Sequence, residues 1–371
     1  MPQSFSLPHS STATPAMRQY LEAKQRYRDA ILFFRMGDFY EMFYEDALVA
    51  ARALELTLTS RSKDGQGAIP MCGVPHHAMD SYLARLVKKG FRVAICDQVE
   101  DPRKAKGLVR REVVRVVSPG TLTDAHYLDA REPAFLMSLA PAGTGATSLI
   151  GAALLDLSTG EFTAAEYAGT DGLQALADEL AVLRPRELVV PTGLDTTALL
   201  PSLGETGIPV TSLDAWMFEP ESARRTLLDQ LRTQRLEGFG LEHHAGAICA
   251  AGGLVHYLRD TQKADLAHVR AVTFRAASDC LWLDPITLKH LEVVESMQGG
   301  RTGSLLHEID LTCTPVGARL LRAWLLRPLV SLERIHHRLD AVEELAFKTT
   351  DRKSTRLNSS HIQKSRMPSS A

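Results

Sequence analysis

The sequence predicts an α/β multidomain protein: a small mixed α/β domain first, a second α/β domain next, then the beginning of an all-α region. Three observations predict this. The 371 residues leave room for two or three domains, each burying its own core. Short apolar runs alternate with helix-period segments up to about residue 263, the pattern of helices packed on sheets. After Ala264 the strand signal nearly vanishes and helical spacing takes over.

Residues 1–15, rich in Ser, Thr and Pro, are expected to be disordered. A polar helix follows from Pro15 to Arg28, carrying Met17, Tyr20, Leu21 and Tyr27. Ala30 to Phe34 reads as a strand, Gly37-Asp38 as a turn, and Asp38 with Glu41 three residues later as a capping pattern that opens a helix through Ala47, Ala50, Ala51 and Leu54. In that frame Phe39 is one more buried aromatic. The alternative is an exposed ring at the mouth of a turn, which could wedge between base steps of a duplex. A carboxylate two residues on, Glu41, could then accept a hydrogen bond from a base edge. Both readings stay open at this point.

Leu56 to Thr59 reads as a strand and Arg61 to Gly67 as a flexible loop. A helix from Met79 to Lys89 ends at Gly90, placed as a C-terminal cap. Phe91 to Cys96 and Arg111 to Val117 are strands, and Ser118-Pro119-Gly120 closes the first unit. In the second, Leu149 to Asp156 and Glu161 to Tyr167 form a hairpin, followed by a helix (Leu173 to Leu183), a strand (Glu187 to Val190) and a long apolar helix (Ala245 to Thr261). In the third, Asp284-Pro285 starts a helix whose face would carry Leu288, Leu291, Val294 and Met297 before Gly299-Gly300 breaks it. Pro315 to Leu326 and Ser331 to Phe347 complete the helical pattern.

Net charge is −2, so the chain as a whole does not announce a polyanion partner. Residues 1–124 nevertheless hold 18 Lys and Arg against 14 Asp and Glu, a local excess of four positive charges. Arg103, Lys104, Lys106, Arg110, Arg111 and Arg115 crowd one segment, which is either a phosphate-binding patch or a solvated basic loop. Cys72, Cys96, Cys249, Cys280 and Cys313 are odd in number and never spaced as CxxC, which argues for reduced thiols and against a zinc site. The paired histidines 76/77, 243/244 and 336/337 project apart on either a strand or a helix, a poor geometry for one metal ion. No GxxxxGK[ST] run is present; Gly299 to Ser304 is Gly-rich but has no Lys. No stretch is apolar enough to span a bilayer and no secretory signal opens the chain, so a cytoplasmic location is expected.

Gly37-Asp38-Phe39-Tyr40-Glu41, Ile69 to Ala78 and Val113 to Thr121 together resemble, in order and spacing, motifs of the MutS family of bacterial DNA mismatch repair proteins. The resemblance runs from about Pro15 to about Ala346. It implies a mismatch-recognition domain (16–125), a connector domain with a ribonuclease-H-like fold (126–263) and a truncated helical core and lever domain (264–350). It implies that Phe39 enters the minor groove at a mispaired or unpaired base, that Glu41 hydrogen-bonds that base, and that Arg61 and His77 contact the backbone or groove. Arg103, Lys104, Lys106, Arg110 and Arg115 would hold phosphates. The implied partners are double-stranded DNA with mismatches or small loops, a second copy in a homodimer, and a downstream repair protein of the MutL type. No cofactor is expected here; ATP and Mg2+ would belong to a C-terminal ATPase domain that these residues do not encode. Two rival functions are a nuclease built on the connector sheet, which would need an acidic cluster that the sequence does not offer, and an interaction scaffold without mismatch reading. Residues 351–371 lose all periodicity and resemble translated sequencing adapter, so they are expected to be foreign to the protein.

Overall fold

The computed structural model describes residues 14–61, 69–100, 107, 109–122, 129–143, 149–263, 266–276 and 279–347. Helix α1 (Pro15–Arg26) starts with Pro at its first position, and the Thr14 hydroxyl caps it by accepting from the Met17 amide at 3.4 Å. Strands β1 (Ile31–Met36) and β2 (Phe39–Phe43) form an antiparallel hairpin, with Met36 opposite Phe39. This corrects the capping assignment: Asp38 lies in the hairpin turn, and Phe39 to Phe43 are strand. Helix α2 (Tyr44–Leu54) begins only after β2, with no side-chain cap and with Tyr44 at φ +54. Strands β3 (Thr59–Arg61) and β4 (Ile69–Pro75), helix α3 (Met79–Lys88), and strands β5 (Val93–Gln98) and β6 (Arg111–Val117) complete the first unit.

Its six strands run in the order β3-β4-β2-β1-β5-β6, antiparallel except for β1 beside β5. Because side chains alternate across a strand, each face receives its own apolar set. Phe33, Tyr40, Met42 and Val93 pack with α2 and α3 on one face; Leu32, Phe34, Phe43 and Cys96 pack with Met17, Tyr20 and Leu21 of α1 on the other. Asp46 ties the layers together. Its buried carboxylate accepts from the Tyr20 hydroxyl (3.1 Å), the Lys24 ammonium (2.8 Å) and the Leu32 amide (3.0 Å).

The second unit contains β7 (Phe135–Ala142), β8 (Leu149–Asp156), β9 (Glu161–Ala168), helix α4 (Gly169–Leu183), β10 (Glu187–Pro191), short helices α5 (Thr196–Leu199) and α6 (Leu203–Thr206), β11 (Val210–Leu213), α7 (Pro220–Leu231) and α8 (Ala245–Gln262). Its sheet has the order β11-β10-β7-β8-β9-β12, where β12 is Thr273–Phe274. An antiparallel β7-β8-β9 meander is extended by β10 and β11 running parallel to β7, and by β12 running parallel to β9. β12 thus carries the second sheet past residue 264, where the sequence suggested a boundary. Helix α8, apolar from Ala245 to Val255 and buried over most of its length, packs with α7 on one face, while α4 covers the other.

The remaining helices are α9 (Pro285–His290), α10 (Leu305–Ile309), α11 (Pro315–Leu326) and α12 (Leu332–Phe347). Asp284 caps α9 through the amides of Ile286 and Thr287, both at 2.9 Å. That helix stops at His290, with Glu292 at φ +50, so the longer amphipathic helix expected as far as Met297 does not form. Leu291 and Met297 are exposed instead, and no residue of α12 is buried.

Candidate nucleic-acid interface

The β1–β2 hairpin turns on two residues, Gly37 and Asp38. Gly37 takes φ +60, a conformation that costs an L side chain energy but not glycine. The turn is braced from three sides. The Arg35 guanidinium donates to the Gly37 carbonyl at 2.5 Å and lies 5.4 Å over the Tyr40 ring. The His76 amide donates to the Asp38 carbonyl at 2.8 Å, and the His76 ring stacks on Tyr40 at 5.7 Å. Tyr40 is anchored in turn by donating to Asp97 at 3.0 Å; burial, then the Asp97 charge, push its phenol up to about 12.

Strand alternation then sorts the motif. Tyr40 and Met42 point into the core, at 1% and 0% exposure, whereas Phe39 on the opposite face is 48% exposed. Glu41, two residues on, shares that face and is half-buried. Gly73 of β4 pairs with Glu41, and Pro75 pairs with Phe39. A Cβ at Gly73 would stand 3.7 Å from Glu41 Cγ and 3.9 Å from Phe39 Cδ1, so its absence keeps the floor between ring and carboxylate open. An apolar ring beside an acceptor, carried on a rigid two-residue turn, suits insertion against a flat π-system with one polar edge.

The other sequence-predicted residues fall into three groups. His77 is exposed on the 3-10 turn His76–Ala78, which directly follows Pro75, the cross-strand partner of Phe39. Arg110 is exposed just ahead of β6 and paired with Glu112. Because Gln98 pairs with Arg111 at the same end of the sheet as Met36 and Phe39, Arg110 stands on the Phe39 rim, about three strand spacings or ~14 Å across. Arg115 does not belong to that rim. It pairs with Ile95 further along β6, is half-buried, and its guanidinium lies 3.5 Å from the Thr121 carbonyl. Arg61 ends β3 opposite Ile69. Arg103, Lys104 and Lys106 lie outside the described residues, as do 1–13, most of the loop after Arg61, and 351–371.

The sequence gives neither Arg35 nor His76 a role in bracing the turn; His76 enters there only in the 76/77 pair weighed as metal ligands and in the Ile69 to Ala78 motif, although both residues fix the turn. The only available signal was their position beside the Gly-Asp dipeptide and before His77. Arg111, counted in the basic cluster, is structural: it donates to the carbonyls of Arg35 (2.6 Å) and Val109 (2.8 Å) and lies 5.4 Å over Phe34. Among the described residues no group of three or more His, Cys, Asp or Glu is placed to hold a metal ion. Nor is any described helix long and apolar enough to cross a membrane.

Three consecutive family models match the chain: MutS domain I over residues 14–126, MutS domain II over 134–270 and MutS domain III over 286–364. These define a multidomain protein in which the sheet bearing Phe39 is the first of three domains in a fixed order. The chain belongs to the MutS family. It is 46% identical over 340 residues to the DNA mismatch repair protein MutS of Symbiobacterium thermophilum, covering 91% of this chain and 38% of that protein. It is 44% identical over 351 residues to the protein of that name from Desulfosudis oleivorans, covering 94% and 39%, and 43% identical over 339 residues to that of Methanococcoides burtonii, covering 91% and 38%. The chain therefore spans less than two-fifths of the length of these relatives.

Proposed function

We propose that this chain recognises mispaired or unpaired bases in duplex DNA as part of DNA mismatch repair, with Phe39 as the probe. The single observation that carries this is the half-exposed Phe39 ring at the head of a strand whose other apolar residues, Tyr40, Met42 and Phe43, are fully buried. The half of that ring left in water at a braced turn gains nothing for the fold, and gains most when stacked on a base. Correct steps resist unstacking by a few kcal/mol and defective ones by less, so the wedge selects deformability and not sequence. Glu41, across the open floor at Gly73, would accept a hydrogen bond from the displaced base. Its charge near phosphates weakens binding of intact duplex, trading affinity for discrimination. His77 and Arg110 line the same rim and would meet the backbone, with Arg61, Arg103, Lys104 and Lys106 as further candidates; Arg115 is the weakest of the set, given its internal partner.

The antiparallel meander with two parallel strands beside its first strand, packed between helices, supports a ribonuclease-H-like assignment for the second domain, used as scaffold. The third segment is read as the start of a helical core. ATP and Mg2+, a homodimer partner and a MutL-type repair protein are proposed for the whole protein, whose nucleotide site would lie outside these residues, and its place is the bacterial cytoplasm at the nucleoid.

The test is equilibrium binding of the chain to a short duplex with one unpaired T or one G·T pair, against the matched homoduplex, for wild type and Phe39→Ala. A preference for the defective duplex that disappears in Phe39→Ala supports the reading. Equal binding to both duplexes by wild type and variant sinks it.

A further inference from the structure

Glu187, the first residue of β10, is fully buried; its carboxylate accepts its hydrogen bonds from neutral donors, and the Arg92 guanidinium stands close enough to feel its charge. Oε2 accepts from the Gly120 amide at 3.0 Å and from the Ser118 hydroxyl; Oε1 accepts from the hydroxyls of Thr211 (2.6 Å) and Tyr257 (2.7 Å). A buried charge persists only when its lone pairs are filled in this way. The donors come from two domains. Ser118 and Gly120 form the turn that leaves β6, whereas Thr211 and Tyr257 belong to β11 and α8. Tyr257 also lies 3.0 Å from the Ser118 hydroxyl, so all four groups close on one point.

The surrounding contacts tighten this junction. A Cβ on Gly120 would sit 2.5 Å from Leu136 Cδ1 and 3.0 Å from Glu187 Cβ, so the turn lies directly against β7 and β10. Arg92 of the first domain stacks 5.6 Å over the Tyr257 ring. Lys263, just past α8, donates to the Val113 carbonyl at 2.7 Å and lies 5.3 Å over Tyr27. Strand β6 connects this junction to the rim that carries Arg110 and, three strand spacings across, Phe39. Its seven residues span about 20 Å, so a rotation at the junction is carried to the rim as a displacement of the probe.

We propose that Glu187 is a positioning residue for mismatch reading: by gathering Ser118, Gly120, Thr211 and Tyr257 it fixes the orientation in which the second domain presents the Phe39 hairpin. This rests on the reading of Phe39 as the probe. The test compares wild type, Glu187→Gln and Ser118→Ala in the whole chain. Ser118→Ala removes the first domain's side-chain donor to Glu187, together with that hydroxyl's contacts to Thr121 (2.9 Å) and Tyr257 (3.0 Å), but leaves the Glu187 bonds to Thr211 and Tyr257 in place, so it remains informative should Glu187→Gln fail to fold. Three readouts are taken: hydrogen exchange at the Gly120 amide, small-angle X-ray scattering of the free protein, and the affinity ratio for a one-T bulge over homoduplex. The expected result is at least tenfold faster exchange at Gly120, a broadened scattering envelope, and a fivefold or greater loss of the ratio with homoduplex affinity within twofold of wild type. Unchanged exchange and scattering overturn the proposal, because the junction then does not depend on Glu187. Faster exchange with an intact ratio overturns it as well, because orientation is then irrelevant to reading. A wild type without any preference sinks the reading of Phe39 instead, and scattering alone then decides whether Glu187 orients the domain.

Discussion

At the scale of single residues, Phe39 separates two energies that a buried aromatic would combine. Truncating a buried Phe costs about 3–5 kcal/mol through lost transfer energy and a cavity. Phe39 keeps nearly half its surface in water and leaves no enclosed hole when removed. Phe39→Ala is therefore expected to cost under about 1 kcal/mol of stability in denaturant titration while abolishing the preference for defective duplex. A loss of roughly 3 kcal/mol would instead return the ring to the core. Glu41 gives the complementary prediction. Glu41→Ala removes a carboxylate that repels phosphates, so homoduplex affinity should rise, severalfold at low salt, and the ratio of bulge to homoduplex affinity should fall toward one. Unchanged homoduplex affinity would show that the charge does not face the duplex.

At the scale of elements, the first domain shows what a single chain of residues reveals and what it hides. Strand β6 was legible to its ends, Arg111 and Val117, because apolar residues are bounded by charge on one side and Ser-Pro-Gly on the other. Helix α11 was legible because Thr-Pro precedes a helical apolar stripe. The hairpin was misread because five residues are too few to separate a period of 2 from 3.6, and Asp38 followed by Glu41 imitates a capping box. The Phe39 site itself was legible only as two alternatives, since burial is a tertiary property. Strand β7 carries no such signal because its central place in the sheet buries every residue from Phe135 to Ala140, so the run is apolar except for Ser138 and shows no alternation to detect. Long-range partners leave no local trace at all, and Asp46 is the clearest case. It opens α2 yet binds α1 through Tyr20 and Lys24 and β1 through the Leu32 amide. Asp46→Ala leaves an ammonium and two other donors without their acceptor, so a loss of about 3 kcal/mol is expected, measured by urea titration. A loss below about 1 kcal/mol would mean that water replaces the carboxylate at little cost.

At the scale of the whole molecule, the second and third segments are joined by buried ion pairs, and these give the chain a defined acid limit. Glu179 of α4, with its side chain 2% exposed, pairs with Arg275 at 2.5 Å and with Arg327, and accepts from the Tyr167 hydroxyl. Burial by itself would raise the Glu179 carboxyl, but the Arg327 and Arg275 guanidiniums outweigh it and hold the group below the ordinary carboxylate range. Tyr167, buried against that negative charge, is pushed well above the ordinary phenol value and stays protonated as the donor. A carboxyl whose folded value lies below its unfolded one binds fewer protons when folded, so stability rises with pH through that range. The contribution is complete above the unfolded value, about 4.3, and drains away as pH falls through the lower folded value. Arg319 on Asp156 at 3.1 Å adds a second pairing between α11 and the second sheet. Glu179→Gln removes the titrating group but keeps the shape, so the variant should begin less stable at pH 7 and lose less on acidification from pH 5 to pH 3. Parallel melting curves of wild type and Glu179→Gln across that window would show that the junction takes its acid sensitivity from other carboxylates. Curves that converge as pH falls would place it on Glu179, whose carboxylate holds Arg275, Arg327 and Tyr167 to α4 at the same time.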